Sequence, residues 1–353
     1  RPMGALKSSF SGWLWAASRS QACMTDRSVS SATVPAAAFP RISVIIPCRN
    51  EEKAIGEVIR LVKAQTPDGS ELEIIVVDDG STDRTAQIAE GAGAKVLHIP
   101  AKEGGGNPAA GRNKGAAIST GDPIIFLDSD CTPHEGWLAN LLRHHAEGVE
   151  VVGGSLGLPP GLGWSARCDY YCGWYHVHPR SAAAWVLHHP PCNLSVRRDV
   201  FLGTAGYVER QPIAYAHEEL EWQSAVLAKG GRIFFEPKAA VDHHNRPGFS
   251  NLLRRNYRWG YSAIPSKIET GTARFAFLYR YPRMLVLASL PLAFVSTAYI
   301  VGCWVKARMF EPLLMSPAVL LARLAYAGGM AAGGLYWLRK PEDRDGEHRP
   351  RWE

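Results

Sequence analysis

From Arg41 onward the chain alternates short apolar runs with segments whose apolar residues recur every three or four positions. Ile42-Ser43-Val44-Ile45-Ile46-Pro47, Ile74-Ile75-Val76-Val77, Lys95-Val96-Leu97-His98-Ile99 and Ile124-Ile125-Phe126-Leu127 read as strands, being short, rich in β-branched residues and bounded by turn residues. Between them, Glu51 to Gln65 places Ile55, Val58, Ile59 and Val62 on one helical face, and Thr85 to Ala92 and Ala109 to Ser119 read as helices too. Trp137 to His145 predicts a further helix, Val151-Val152-Gly153-Gly154-Ser155 a strand, Glu218 to Lys229 a helix and Arg232-Ile233-Phe234-Phe235 a strand. Strand alternating with helix predicts an α/β fold built on a doubly wound, mostly parallel sheet. From Leu156 to Pro191 no period holds; Gly, Pro, Trp and Tyr abound there.

The C-terminal third changes character. Leu285 to Val305 is uncharged, with one proline, Pro291, and is long enough to span a hydrocarbon core. Pro312 to Leu338 is a second apolar segment, interrupted by Arg323. Its Gly328, Gly329, Ala331, Ala332, Gly333 and Gly334 allow close helix packing in lipid. The pair predicts C-terminal membrane-associated helices, with buried core helices as the alternative. Arg280, Arg283, Arg339 and Lys340 at the outer ends predict that both ends are cytoplasmic. Lys306 and Arg308 in the connection argue the other way, a conflict that a re-entrant or monotopic hairpin relieves. Asn251 to Tyr261, upstream of the apolar segment, is open to a reading as an amphipathic interfacial helix whose arginines meet anionic lipid, a role compatible with ligand binding by the same residues. The expected organisation is a flexible, Ser/Ala-rich N-terminal extension over 1–40, an α/β domain over 41–265, an interfacial segment and hydrophobic helical hairpin over 266–340, and a charged tail over 341–353.

Composition narrows the classes. With 353 residues, 46% hydrophobic and 20% charged, the chain is neither disordered nor collagen-like. A net charge of +6 suits an anionic membrane surface or substrate, but no basic run with interleaved aromatics points to nucleic acid. Seven scattered cysteines imply a reducing compartment rather than a disulfide framework. Cys168, Cys172, His176, His178, His188, His189 and Cys192 cluster in sequence, yet without a CxxC pair or any common zinc spacing.

Two acidic motifs carry the chemistry. Asp78-Asp79-Gly80-Ser81-Thr82-Asp83 and Asp128-Ser129-Asp130 each follow an apolar run. Open α/β sheets bind ligands at the carboxyl ends of their strands. Carboxylates gathered there repel one another unless a cation intervenes. A hard divalent metal carrying a diphosphate is the natural occupant. If Asp128 and Asp130 lie in an extended stretch, they point the same way and one metal reaches both. Ser81, Thr82 and Asp83 are also good helix caps. Gly104-Gly105-Gly106-Asn107-Pro108 matches neither phosphate-binding glycine fingerprint and reads as a mobile loop.

Taken in order, Val44-Ile45-Ile46-Pro47-Cys48-Arg49-Asn50-Glu51, Asp78–Asp83, Gly111-Arg112-Asn113-Lys114-Gly115, Phe126-Leu127-Asp128-Ser129-Asp130, Glu218-Glu219-Leu220-Glu221 and Arg255-Asn256-Tyr257-Arg258-Trp259 resemble the family 2 glycosyltransferases of the GT-A fold, of the membrane-associated bacterial glycan type. The blocks span residues 41–260, about two-thirds of the chain; each alone is weak, the ordered set specific. The resemblance implies Mn²⁺ or Mg²⁺ on the donor diphosphate, held by Asp128, Asp130 and His243. It places Pro47, Glu51 and Asp79 on the nucleotide of a UDP- or GDP-sugar. It gives Arg112, Lys114, Asp128, Arg255, Arg258 and Trp259 to the diphosphate and acceptor end. Glu219 becomes the general base, with Glu218 the runner-up; the family's usual second acid is Asp, so Glu219 reaches one methylene further. The activity implied is an inverting hexosyl transfer to a glycan, lipid-linked, lipid or peptide hydroxyl, with the catalytic domain on the cytoplasmic face. Trp164, Tyr170, Tyr171, Trp174, Tyr175 and Trp185 offer stacking faces for a sugar or lipid, or scaffold packing. The alternatives are a nucleotidyltransferase of related fold and a non-catalytic membrane scaffold.

Overall fold

A computed structural model describes residues 39–100, 108–209, 217–270, 278 and 281–339. Residues 1–38, the glycine loop at 104–107, Arg280, Lys340 and the 341–353 tail lie outside the described residues, as does the Glu218 side chain.

The expected alternation is present as β1 (Arg41–Cys48), α1 (Ile55–Lys63), β2 (Glu71–Asp78), α2 (Thr85–Gly91), β3 (Lys95–His98), α3 (Pro108–Ile118) and β4 (Ile124–Leu127). There follow β5 (Cys131–Pro133), α4 (Trp137–Ala146), β6 (Val151–Gly157), α5 (Trp164–Gly173), β7 (Ala184–Val186), β8 (Asn193–Val196), α6 (Arg198–Leu202), α7 (Glu218–Ala228) and β9 (Ile233–His243). They build a nine-stranded sheet in the order β3-β2-β1-β4-β8-β6-β9-β5, with β7 also on β9. Strands β3, β2, β1 and β4 are mutually parallel, and β6 is parallel to β9. Strand β8 runs antiparallel to both its neighbours.

Alternation along the central strands supplies two cores. Val44, Ile46, Val76, Ile125 and Leu127 face α1 and α4 with Ile55, Ile59, Leu138 and Leu141. Ile45, Ile75, Val77, Ile124 and Phe126 face the other way, towards Ala109, Ala116, Trp222 and Val226 of α3 and α7. With both faces covered, the strand centres Val44–Ile46, Ile74–Val77 and Ile124–Leu127 are continuously apolar. Helix α3 lies very close to the sheet: a Cβ at Gly115 would stand 2.5 Å from Ile45 Cγ2, and one at Gly111 3.2 Å from Pro47 Cβ. In register, Cys48 lies beside Asp78 and Asp78 beside His98, so the carboxyl ends of β1, β2 and β3 line one edge.

The segment without a readable period contains α5 and β7, and β8 follows directly after it. Strand β8 carries Asn193 and Ser195, both fully buried. Asn193 accepts from Trp137 Nε1 at 2.8 Å and donates to the Ser155 and Ala239 carbonyls at 3.0 Å, joining three strands. Strand β9 extends well past Phe235, through a buried Glu236 paired with Arg143 at 2.6 Å and with His144 at 2.7 Å.

The chain then forms α8 (Phe249–Thr270), α9 (Pro282–Lys306), α10 (Glu311–Leu314) and α11 (Ser316–Arg339). Helices α9 and α11 each contain a stretch long and apolar enough to cross a membrane, Arg283–Lys306 and Ser316–Tyr336. On α9, Leu287 is 80% exposed, and Leu290, Phe294, Val295 and Tyr299 are exposed with it, an apolar surface of the kind that lipid or a partner covers. Arg323 turns inward: its Nε donates to Ser296 Oγ at 3.1 Å and its guanidinium stacks 4.0 Å from the Tyr326 ring. That placement removes the cost of facing lipid. Helix α8 meets α11 backbone to backbone, because a Cβ at Gly260 would lie 2.0 Å from Tyr326 O and one at Gly329 2.0 Å from Tyr257 O. The connection between α9 and α11 is docked on the α/β domain. Trp304 Nε1 donates to Tyr171 O at 2.9 Å, Tyr171 donates to Glu311 at 2.6 Å, Arg167 pairs with Glu311, and Arg180 donates to the carbonyls of Ala307 and Arg308. The connection that carries Lys306 and Arg308 therefore stands against the α/β domain.

Two predictions follow from burial. His145 sits in the core with Nδ1 2.8 Å from Val149 O and Nε2 2.7 Å from Ser195 Oγ, and burial lowers its pKa from 6.5 to about 4. The neutral ring contributes its full stability above pH 6.5 and loses it as pH falls towards 4, since only the unfolded chain gains the proton there. The expected slope is about 1.4 kcal/mol per pH unit. Denaturant titrations across this window will show a shallower slope in His145→Gln; equal slopes refute the assignment. Gly329→Leu should cost roughly 1–3 kcal/mol by forcing α8 from α11, seen as a lower melting temperature in detergent; an unchanged melt contradicts the contact.

Candidate active site

The loops after β1 and β2 are locked together by small polar side chains. Asn50 takes the left-handed backbone (φ 55°) that Asn tolerates, and its amide oxygen accepts from Thr82 N–H at 2.8 Å. Its own N–H donates to Ser81 Oγ at 2.9 Å, Glu51 N–H to Thr85 Oγ1 at 2.8 Å, and Glu52 N–H to Asp83 Oδ2 at 3.2 Å. Asp83 also accepts Thr85 N–H at 3.0 Å, so the helix-start role of this acidic block falls to it. Asp79 is 8% exposed where β1 and β2 end, its N–H donating to Cys48 O at 3.0 Å. Pro47, half-buried, is the penultimate residue of β1.

Helix α3 supplies the cations. Arg112 is 2% exposed and donates to Asp128 Oδ1 at 2.6 Å, with its guanidinium 5.8 Å from the Tyr207 ring. It is no solvated helix charge: the close approach permitted by Gly111 and Gly115 sinks it against the sheet. Lys114, half-buried, follows on the same helix. Between them Asn113 holds the Tyr207 backbone both ways, accepting its N–H at 2.9 Å and donating to its carbonyl at 2.8 Å.

Asp128-Ser129-Asp130 is a turn, not extended chain. Cys131 N–H returns to Asp128 O at 3.0 Å, while Asp128 N–H donates to Cys192 O at 3.1 Å and His244 N–H to Asp130 O at 2.9 Å. The expectation that the two carboxylates project alike is therefore corrected, because the chain reverses between β4 and β5. Asp128 faces Arg112. Asp130 faces His243, whose Nε2 is 3.8 Å from Asp130 Oδ1. His243 is the last residue of β9 rather than a residue beyond the strand.

The acids around this turn are incompletely neutralised. Glu51 accepts from Arg246 Nη2 at 3.4 Å, yet its pKa is raised, first by burial and then by the charge of Asp130. Carboxylates crowded beside an imidazole nitrogen fit a hard divalent ion. Asp130 and His243 are the groups placed to hold one, with Asp128 committed to Arg112. Behind them Cys131, Cys192 and His243 bring ligand atoms within 4.8 Å of one another, a set suited to softer ions. Cys168 and Cys172 lie apart from it, in the core shared with Trp304 and Met315.

Glu219, half-buried, stands in the first turn of α7. One turn later Gln223 grips His189, donating to its carbonyl at 2.7 Å and accepting its N–H at 2.8 Å. The His189–Cys192 segment leads directly to the carbonyl that holds Asp128 N–H, which ties α7 to the Asp128 turn. On α8, Arg255 is ion-paired with Asp169 and lies 4.5 Å over the Trp259 ring; Arg258 is exposed. Burial pushes the Asp169 carboxyl above its ordinary range, and the Arg255 guanidinium pulls it back. Of the aromatics, Tyr170 and Tyr171 are scaffold, packed on Trp304, whereas Trp174 lies 4.9 Å from the His243 ring. Sequence reading missed Asp169, Asn245 and Arg246 as neighbours of the site; the first falls where no period holds, and the short Asn245-Arg246-Pro247 run carries no motif.

The family model for glycosyl transferase family 2 matches residues 43–201. Glycosyltransferase AglE of Haloferax volcanii is 30% identical over 234 residues, covering 64% of this chain and 74% of that protein. The pre-mycofactocin glycosyltransferase of Mycobacterium tuberculosis is 25% identical over 363 residues, covering 88% of this chain and 74% of that protein. Among solved structures, the mannosyltransferase PcManGT from Pyrobaculum calidifontis, in complex with GDP-Man and Mn²⁺, shares the fold with a TM-score of 0.55 at 19% identity, covering 96% of this chain and 94% of that one.

Burial pushes the Cys131 thiol well above its ordinary value and Cys48 to about 12, so neither forms thiolate readily. Iodoacetamide should leave both unlabelled in the native protein and label both after denaturation; native labelling of either would show that the site opens.

Proposed function

The chain belongs to glycosyltransferase family 2, and from that premise we propose a membrane-attached, metal-dependent, inverting transferase that moves a sugar from a nucleoside diphosphate donor to an acceptor hydroxyl at the membrane surface. The observation that carries the reading is the Asp130–His243 pair at 3.8 Å beside Glu51, whose pKa the Asp130 charge helps to raise. Such a pocket favours a bound Mn²⁺ or Mg²⁺, and the Pyrobaculum structure holds Mn²⁺. When bound, the ion would offset charge on the departing diphosphate.

The protein's own groups divide the remaining work. Pro47, Glu51 and Asp79 line the strand ends where the nucleotide would lie. Arg112 neutralises Asp128 and keeps that carboxylate fixed beside the donor; Lys114 adds a second cation on the same helix. Glu219, with Glu218 beside it in the chain, takes the proton from the acceptor hydroxyl as its oxygen bonds to the anomeric carbon. The bond from that carbon to the diphosphate oxygen breaks on the opposite side, which inverts the anomeric configuration. Arg258 and Trp259, at the end of the site nearest the apolar helices, suit a lipid-linked or glycan acceptor. The uncovered apolar face of α9 supports attachment to the membrane, with the catalytic domain on its cytoplasmic side. The 41–265 and 266–340 boundaries would then separate transfer chemistry from anchoring.

Nucleotide release in detergent from UDP-, GDP- and dTDP-sugars, with Mn²⁺, Mg²⁺ or EDTA, tests the reading. Metal-dependent release from one donor is expected, falling about 100-fold or more in Glu219→Gln and abolished in Asp130→Asn. Absence of both turnover and metal-dependent nucleotide binding would sink it.

A further inference from the structure

The His243 ring has a defined tautomer, and the groups that define it lead away from the site. Asp169, on α5, is 3% exposed and Asn245 is 2% exposed. The Asn245 amide nitrogen donates to Asp169 Oδ2 at 2.8 Å, while Arg255 pairs with the other carboxylate oxygen. Arginine only donates, so both Asp169 oxygens act as acceptors. The amide oxygen of Asn245 therefore faces the opposite way. There it meets Trp174 Nε1–H at 3.4 Å and His243 Nδ1 at 3.0 Å.

Turning the amide over would set its NH₂ against the indole N–H and its oxygen against the Asp169 carboxylate. Only the orientation described matches every donor with an acceptor. His243 Nδ1 must then carry the hydrogen that bonds to Asn245. In the neutral ring, Nε2 is left with a bare lone pair, 3.8 Å from Asp130 Oδ1. Two acceptors facing each other across a gap of that size call for a cation between them.

We propose that Asp169, acting through Asn245, is a positioning residue for the transfer reaction: it locks His243 in the tautomer that aims a bare Nε2 at a divalent ion shared with Asp130, and anchors that ring to helix α8 through Arg255. The proposal rests on the metal-dependent reading above and extends it to residues outside the site. Groups that orient a ligating histidine through its second nitrogen set metal affinity as well as geometry. Asp169 touches neither donor nor acceptor, so its effect reaches the chemistry only through the ion.

The test is direct Mn²⁺ binding to the full chain in detergent, followed by electron paramagnetic resonance of free Mn²⁺, with turnover measured as a function of Mn²⁺. Mn²⁺ is chosen because the thiols of Cys131 and Cys192 prefer softer ions. Asp169→Asn and Asn245→Ala should each bind Mn²⁺ on the order of 10–100-fold more weakly than the unaltered chain. Their turnover should return towards normal at saturating Mn²⁺, with the donor KM there unchanged, a recovery that a damaged fold would not allow. If one variant fails to fold, the other decides the matter. Unaltered Mn²⁺ affinity in a folded variant overturns the positioning role while leaving the enzyme reading intact. Absence of Asp130-dependent Mn²⁺ binding in the unaltered chain overturns both.

Discussion

Crowding carboxylates at one edge of a sheet is electrostatically expensive, and much of this structure answers that constraint. Asp78, Asp79, Glu51, Asp128 and Asp130 all approach the carboxyl ends of β1, β2 and β4. Among the described residues, Arg112 reaches Asp128 from α3, Arg246 reaches Glu51 from beyond β9, and Arg255, one step removed, reaches Asp169 from α8. The glycines of α3 belong to the same solution, because only a helix pressed onto Ile45 and Pro47 brings Arg112 to Asp128 under the sheet. Asp130 faces the His243 ring, and with the tautomer inferred above the site there presents a negative field and an imidazole lone pair.

The first half of the fold was legible because its strands are buried on both faces and need no alternation to be recognised. Residues such as Ile74–Val77 and Ile124–Leu127 admit no other role. The middle was not legible, for a physical reason. Asn193 and Ser195 occupy fully buried strand positions and satisfy themselves by hydrogen bonds to Trp137, Ser155, Ala239 and His145. A pattern that equates polar with exposed cannot find such a strand. Strand β9 was cut short in the same way by Glu236, a buried acid with two basic partners. The acidic motifs were visible, but their conformation was not: nothing in Asp-Ser-Asp says that the chain turns back at Ser129. Asp169 was hidden most thoroughly, since its partners lie 76 and 86 positions further along the chain, at Asn245 and Arg255.

The apolar helices and the site are one packed object. Trp304 is fully buried between Tyr170, Tyr171 and His178 of the α/β domain. Arg167, Tyr171 and Arg180 grip the α9–α11 connection by side chain and by backbone carbonyl. Helix α8 joins the two regions covalently as well as by packing, carrying Arg255 and Trp259 on the same turns as the close contact with α11 at Tyr257 and Gly260. The tight crossing at Gly260 and Gly329 leaves no layer of side chains in which the helices can slide.

That crossing has a mechanical meaning. A catalytic domain tethered by a flexible linker samples a range of distances from the bilayer and can follow an acceptor as it lengthens. Here the chain makes its attachment through interlocked backbone, so with α9 seated in lipid the height of the Asp130 turn above the hydrocarbon becomes a fixed dimension of the protein. On the function proposed above, such a transferase would measure its acceptor: the hydroxyl that receives the sugar would have to stand at that one elevation.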